Sequence, residues 1–417
     1  MTFLSAEKRL RPSNIINDMF FVAIICLQVM NEMFTGILGV AFGISFPLIG
    51  LFLVYTLLFN RLNISTHHAT ITAVVVFAFI ISFLRIGFND TIESYLLIYA
   101  YYGLIPLLFI NTKHDGTRII RIISYVGVFA VLYYLIIGVD TPDSLVYMNS
   151  SNILLPCGLA IMNQAFFRKK QKNFTKLFFV LAFIAYASLM FSWGTRGALL
   201  SICMYPLINL LSRVSGFKRT IITSLSIAFS YLIFMNLEYI LIWVSNFLYS
   251  VGIEPGLWLN KTIALLARDN LSNGRLDVWG PALKTTVDNA VFGSGISGLE
   301  TQCNFYAHNV FLQIVVEYGV FVGLALVIGL IYLIVKTIVY KGDQKRKEYI
   351  IFLMASSLVV LMFTSVYWAF VAFWLFIYEA INLIKKKAGV LEDNVVKSHD
   401  SSNDKTLKLN ACKETHK

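Results

Sequence analysis

Long apolar runs alternate with short polar loops along nearly the whole chain. A helix needs about 20 apolar residues, within a range of roughly 17–25, to cross a bilayer. Twelve segments come close to this length: residues 15–34, 36–59, 70–88, 92–111, 118–138, 152–167, 174–193, 197–212, 219–237, 308–336, 349–365 and 367–384. The pattern therefore predicts an all-α polytopic membrane protein with about 12 transmembrane helices.

One long polar interval, from about Leu237 to Ala307, interrupts this alternation of apolar runs and short loops. It is rich in Trp, Arg, Asp and Gly, and it continues through His308 directly into an apolar segment. Because lipid cannot satisfy backbone polar groups, non-helical chain lies outside the membrane or in a protein-lined cavity. The predicted organisation is nine transmembrane helices, one large loop, three more helices and a polar tail that we expect to be disordered. These parts comprise residues 1–237, 238–307, 308–385 and 386–417.

Composition and charge agree with a membrane protein and suggest its orientation. The chain is 58% hydrophobic and 14% charged, whereas soluble proteins are roughly 45–50% apolar and 25% charged. The net charge of +11 does not indicate nucleic-acid binding, because the basic residues form short clusters between apolar runs. If the N-terminus is cytoplasmic, most basic residues fall on the inner side. We therefore expect an uncleaved first helix, both termini in the cytoplasm and the large loop outside. The basic residues left outside are Arg85, Arg196, Lys261, Arg268, Arg275 and Lys284.

The sequence contains none of the motifs that mark several common enzyme classes. We find no P-loop, GxGxxG, His-Glu-x-x-His or paired Cys-x-x-Cys. Hydride transfer, NTP hydrolysis and zinc chemistry therefore have no support in the sequence, and we expect neither a metal nor a cofactor.

The outer turn around Arg196 is the first candidate for chemistry. Gly194 and Gly197 flank this arginine and leave space for another group to approach. A guanidinium is permanently charged, and its planar fork of donors suits the oxygens of a phosphate or pyrophosphate. The alternative is an interfacial arginine that extends toward lipid headgroups.

Arg275, in the large loop, is the second candidate. Leu276, Trp279 and Leu283 recur at helical spacing, which predicts a short amphipathic helix on the membrane surface. Arg275 is then either a phosphate ligand or an ordinary charge on that helix. The glycine-rich segment 292–298 predicts a flexible turn, and it is only a weak signal for a phosphate cradle.

The large loop ends at His308, where polar chain meets the membrane. A neutral imidazole there can accept a proton from a hydroxyl near pH 7, although a histidine that caps a helix would occupy the same position. Glu317 lies further along the apolar run, about 13 Å away at 1.5 Å per residue. An acid at this depth is a functional candidate, or a structural partner for an outer arginine.

The order of these segments resembles the O-antigen ligase and O-antigen polymerase family of bacterial envelope glycan assembly. Arg196 to Leu200 matches the Arg-x-x-x-Leu element that precedes the large periplasmic loop in that family, and His308 to Gly319 matches the His and Gly that close it. The segment that begins at Arg275 lies between them. The resemblance covers roughly residues 192–325, and Ala290 stands where the family often has proline.

The resemblance implies a metal-independent, inverting glycosyltransferase of GT-C-like architecture in the bacterial inner membrane. Its donor would be an oligosaccharide on polyprenyl pyrophosphate, presented at the periplasmic face, and its acceptor a sugar hydroxyl. By position, Arg196 and Arg275 would hold the pyrophosphate and His308 would activate or orient the acceptor. Further substrate-binding candidates are Arg85, Arg268 and Glu317.

Within this family two activities fit the motifs. We favour a polymerase of O-antigen or capsule repeat units over a ligase that transfers the finished glycan to the lipid A-core. The expected partners are the donor, a glycan or lipid A-core acceptor, the bilayer and a chain-length regulator, with no nucleic acid. A flippase or transporter is the competing class, but transporters tend to carry repeats and midplane sites. A catalytically inert scaffold is disfavoured by the coincidence of Arg196, Arg275 and His308.

Overall fold

The computed structural model describes most of the chain, and every regular element in the described part is a helix. The described ranges are 12–38, 64–137, 144–168, 171–193, 195–252, 257–266, 275–363 and 366–385, with isolated positions between 47 and 58. The predicted span 36–59 lies almost wholly outside the described residues, as does the tail 386–417.

The predicted spans coincide with helices wherever the structure describes them. The helices are α1 (Pro12–Ile25), α2 (Leu27–Leu38), α3 (Thr66–Ile86), α4 (Asp90–Phe109), α5 (Gly116–Ile137), α6 (Ser144–Met162, continued by a π-helix at Asn163–Phe167), α7 (Asn173–Trp193), α8 (Arg196–Arg213), α9 (Phe217–Met235), α10 (Leu237–Ser250), α11 (Leu257–Leu266), α12 (Arg275–Asp288), α13 (Gly298–Cys303), α14 (Val310–Val339), α15 (Gln344–Leu361) and α16 (residues 371–385).

Several of these helices are suited to a bilayer. Among the described residues, α3, α4, α5, α7 and α14 are long and apolar enough to cross a membrane. The first predicted span is not a straight helix, because α1 and α2 meet at an angle of 70°, and counting this pair adds a sixth span. The structure is therefore that of an α-helical membrane protein, and the total of twelve spans remains a prediction.

Helix α15 lies at the centre of the bundle. Nearly every residue from Tyr349 to Leu361 is buried, and α15 packs against α5, α6, α8 and α14. Helix α9, in contrast, is exposed along most of its length, as expected for an apolar helix that faces lipid. The sequence does not distinguish these two environments, because both helices are mainly apolar after a basic first turn.

The described parts of the large loop are mainly helical, and a helix forms where the amphipathic helix is predicted. Among the described side chains of this helix, Ala282, Thr285 and Thr286 are buried, whereas Leu283, which is predicted on the apolar face, is exposed. Helix α10 begins directly after α9, and α11 packs against α7. Helix α12 begins at Arg275 and packs against α14, with α13 between them along the chain. The loop is therefore folded onto the bundle at the start of α14, which is where the candidate site lies.

Candidate functional site

Helix α14 is broken at Gly319, and the glycine-rich turn of the loop fills the break. Gly319 has φ 79° and ψ 171°, which removes the helical hydrogen bonds of the preceding turn. The carbonyls of Val316 and Glu317 instead accept from the backbone N–H groups of Ser294 and Gly295, at 2.8 and 3.1 Å. The turn thus satisfies backbone groups that a break in an apolar environment would leave unpaired.

Only glycine fits where the turn meets the break. A Cβ on Gly319 would lie 2.7 Å from the backbone nitrogen of Gly293, and a Cβ on Gly293 would overlap the carbonyl of Glu317. The N–H groups of residues 293–296 all donate to acceptors within the protein. The turn is therefore a docking element, and the idea of a flexible phosphate cradle is not supported.

Arg85, at the end of α3, holds the same turn from its other side. Its guanidinium donates to the carbonyl of Gly293 and, at 2.8 Å, to Oδ1 of Asn289. Nearby, the Ser82 hydroxyl accepts from the N–H of Ile296 at 2.7 Å. Both terminal nitrogens of the Arg85 guanidinium therefore donate to the loop. In this arrangement Arg85 holds the loop in place and does not present both of these nitrogens to a phosphate.

His308 lies on a backbone that two hydrogen bonds hold in place. Its φ is +52°, a left-handed conformation that costs of the order of 1–3 kcal/mol unless the surroundings enforce it. The N–H of Ala307 donates to Oε1 of Gln313 at 2.8 Å, and the carbonyl of Ala307 accepts from Nε1 of Trp279 at 3.0 Å. The ring of Tyr306 lies 4.0 Å from the imidazole. Strain of this kind is typical of functional sites.

Asn309, rather than His308, caps helix α14. The Asn309 side chain accepts from the N–H groups of Phe311 and Leu312, at 3.0 and 3.1 Å. A histidine is therefore not needed as the cap at this position. The alternative interpretation of His308 as a helix cap is wrong, because the neighbouring residue performs that role.

A single amide joins two carboxylates, that of the buried Glu317 and that of the half-buried Glu300. Nε2 of Gln313 donates to Oε1 of Glu317 at 2.7 Å and to Oε1 of Glu300, on α13, at 3.1 Å. Because the same amide accepts from Ala307 through its oxygen, Gln313 links the backbone beside His308 to both acids. The three side chains form one network, which we call the Gln313 network.

Aromatic side chains complete the Gln313 network. The Tyr367 hydroxyl and the Trp368 indole donate to Glu317 at 2.5 and 3.4 Å, and the Tyr95 hydroxyl donates to Glu300 at 3.1 Å. Burial raises the pKa of Glu300, and its hydrogen bonds offset this effect only in part. Among the described residues, the partners of Glu317 are these neutral donors, so the alternative in which Glu317 pairs with an outer arginine is not observed there.

The two arginines of the motifs lie on helices that both pack against α14. Arg196 is the first residue of α8, and Arg275 is the first residue of α12. The side chain of Arg275 lies outside the described residues, as does all of Arg268. Both arginines therefore begin helices that contact α14, the helix that begins just after His308.

An apolar groove of about 390 Å³ runs beside the Gln313 network. It is formed by α3, α14 and α16, and its lining includes Val74, Ile314, Tyr318 and Trp374. Tyr367 lines the groove and also donates to Glu317. An apolar channel therefore reaches the buried end of the site.

Sequence reasoning missed most of the Gln313 network. Gln313 and Glu317 are four residues apart on one helix, a spacing that places them on one face and could have marked the pair. Glu300, Tyr95 and Tyr367 gave no such signal, because only the tertiary fold brings them to α14. In the part of the chain that the structure describes, no group of three His, Cys, Asp or Glu residues could hold a metal ion.

We compared the chain with models of known protein families, with curated proteins and with solved structures, and none of them matches it. The family resemblance therefore depends on the sequence motifs at Arg196, Arg275 and His308.

Proposed function

We propose that the protein is a GT-C-like glycosyltransferase that polymerises polyprenyl-pyrophosphate-linked glycan at the periplasmic face of a bacterial inner membrane. The observation that carries this proposal is the hydrogen bond from Trp279 to the carbonyl of Ala307. Arg275 begins the same helix four residues earlier, about one turn at 3.6 residues per turn. The position of this arginine is thereby tied to the residue that precedes His308.

The chemistry follows from the residue types. Arg196 and Arg275 bind the pyrophosphate of the donor and stabilise its charge as the bond to the anomeric carbon breaks. His308 takes the proton of the acceptor hydroxyl while that oxygen attacks the anomeric carbon from the opposite side. The products are an inverted glycosidic bond and a free polyprenyl pyrophosphate. The Gln313 network positions the backbone of His308 during this step.

The apolar groove supports a lipid-linked donor. Its apolar lining suits a polyprenyl chain. Tyr367 belongs to this lining and donates to Glu317, which connects the groove to the Gln313 network. In this arrangement the twelve predicted spans place both termini in the cytoplasm and the large loop in the periplasm. Arg85 then lies on the periplasmic side and holds the loop against α3.

A transporter is the second candidate function, because two helical segments are broken. Helix α14 breaks at Gly319, and α1 meets α2 at 70°. Discontinuous helices form substrate sites in many transporters. The break at Gly319 is filled by the loop turn, however, so it does not expose helix ends to a substrate.

The purified protein in detergent or vesicles tests the proposal with two acceptors. With lipid-linked repeat units alone, we expect longer lipid-linked chains to form. If glycan passes to the lipid A-core and no longer lipid-linked chains appear, the protein is a ligase. If neither product forms and vesicles instead move lipid-linked glycan across the bilayer, the transporter is correct and the proposed function is wrong.

A further inference from the structure

A separate polar cavity of about 320 Å³ lies at the bend between α1 and α2. Helices α6 and α15 and the segment 369–372 complete its walls. Six of its lining residues carry amide, carboxylate or hydroxyl groups: Gln28, Glu32, Tyr102, Asn149, Asn152 and Ser356. Polar side chains within a bundle of apolar helices are costly and commonly mark a functional site.

Glu32 is held in a defined position in this cavity. The Tyr134 hydroxyl donates to its carboxylate, and the Ser150 hydroxyl lies within 3.5 Å of the same oxygen. Gln28 and Tyr102 line the same cavity, each with a side chain that can form hydrogen bonds. The polar groups are therefore pre-arranged, which reduces the entropy cost of binding a ligand.

The cavity lies between the two halves of the proposed site. On one side, the ring of Tyr134 is 5.2 Å from that of Trp193, the last residue of α7 and three positions before Arg196. On the other side, Phe370 lines the cavity two residues after Trp368, which donates to Glu317. Tyr367, in the same short segment, lines the apolar groove. The segment 367–372 thus separates the groove from the cavity.

We propose that this cavity binds one sugar ring of the glycan substrate, and that the ring carries no acidic group. The inference rests on the proposed function and assigns a subsite to it. Amide and carboxylate groups match pairs of sugar hydroxyls, and the rings of Tyr102 and Phe370 suit the apolar C–H face of a pyranose. The volume is at the small end of the roughly 300–1,000 Å³ of small-molecule pockets, which suits a single ring. Among the described lining residues, Glu32 alone carries a formal charge, so a uronic acid would be repelled.

Saturation-transfer NMR on the full-length protein in detergent tests this subsite. The probe is the oligosaccharide repeat unit released by mild acid from the lipid-linked glycan of the producing cells. We expect transfer to be strongest on one non-acidic ring. The signal should fall at least fivefold in Asn149→Leu and in Glu32→Gln, in which the glutamine retains an acceptor for Tyr134. Asn236→Leu, at an exposed turn after α9, is the matched control and should keep the signal.

The outcomes separate this inference from the proposed function. If the wild type gives no transfer, if an acidic ring gives the strongest signal, or if all variants give equal signals, the subsite is wrong. The same preparations are assayed for chain elongation. Elongation together with equal signals overturns the subsite alone. A signal that depends on Asn149 and Glu32, without any glycan transfer, supports the sugar site and overturns the proposed function.

Discussion

The two ends of the helix bundle bury carboxylates in opposite ways. At the end that contains His114, the fully buried Glu379 accepts two hydrogen bonds from Arg346, at 2.9 and 2.7 Å. It also lies 2.9 Å from Nε2 of His114. Asp18 is paired in the same region with Arg118 at 2.6 Å. Each buried acid at this end therefore has a cation beside it.

At the end that contains His308, the buried Glu317 and the half-buried Glu300 have neutral partners among the described residues. Glu317 and Glu300 share the amide of Gln313 and accept from tyrosine and tryptophan donors. The same difference is seen in the pKa shifts of two titratable groups that lie outside the membrane spans, His114 and Glu300. Burial is the largest single effect on the pKa of His114 and lowers it, but the charge and hydrogen bond of Glu379, together with the hydrogen bond to the Thr112 carbonyl, raise it overall. At Glu300, in contrast, burial raises the pKa.

This difference separates structural from functional groups. A buried acid with matched cations is satisfied, and removing one partner mainly destabilises the fold. A buried acid held by neutral donors remains costly to ionise, and such perturbed groups cluster at functional sites. We therefore expect mutations at the His114 end to affect stability, and mutations at the His308 end to affect glycan transfer.

The largest expected effect is that of Gly319→Ala. The substitution combines a left-handed backbone with a Cβ that would lie 2.7 Å from the docked turn. Strain and overpacking together should cost about 3–5 kcal/mol and release the loop. Gly329→Ala is the control in the same helix, because a Cβ there meets open space. Thermal unfolding in detergent measures both variants. Equal stability would show that the loop is not docked on the break.

Gln313→Met should reduce catalysis strongly. The variant keeps the volume but removes the link from Ala307 to both carboxylates. Displacing a catalytic group by about 1 Å costs roughly 100-fold in rate, so kcat should fall by about that factor, with KM little changed. Gln302→Met, on the exposed face of α13, is the control. If both variants retain wild-type kcat, the Gln313 network does not position His308.

His114→Gln should lower stability and leave transfer unchanged. A hydrogen bond to a charged group contributes about 1.5–3 kcal/mol. The pKa of His114 is raised in the folded protein. The contribution of the protonated imidazole to the free energy of unfolding is therefore fully present below about pH 6.5, the ordinary pKa of histidine. The contribution disappears as pH rises through the raised pKa. The difference in Tm between wild type and variant should therefore shrink on going to alkaline pH. A difference independent of pH would contradict the ion pair.

The smallest effect is that of Trp279→Phe. It removes one hydrogen bond to Ala307 and keeps most of the ring, so it should cost about 1 kcal/mol. If that energy holds His308 in place in the transition state, kcat falls by about fivefold to tenfold. Wild-type kinetics in this variant would remove the observation on which the proposed function depends.

Helices were easier to predict than the geometry between them. Apolar length alone located α3 to α9, and the spacing of Trp279 and Leu283 located α12. The bend between α1 and α2 could not be predicted, because no proline marks it. The role of Gly319 could not be predicted either. An isolated glycine in an apolar run is compatible with a continuous helix, and only the tertiary contact with residues 289–295 reveals the break.

Of the proposed site, the sequence singled out only the candidate reactive residues. His308 and the two arginines stood out because charged or titratable groups are rare at a membrane boundary. The assignment of Arg85 to phosphate missed its contacts with the loop, since hydrogen bonds between residues about 200 positions apart leave no local pattern.

The glycan chain-length distribution of cells that carry His308→Ala or Arg196→Lys tests the central claim most directly. The exposed His67→Ala serves as the control. We predict that His308→Ala is folded and makes no long chains. We also predict that Arg196→Lys loses most activity, because a point charge cannot reproduce the fork of a guanidinium. Wild-type chain lengths in both variants would contradict the proposed site.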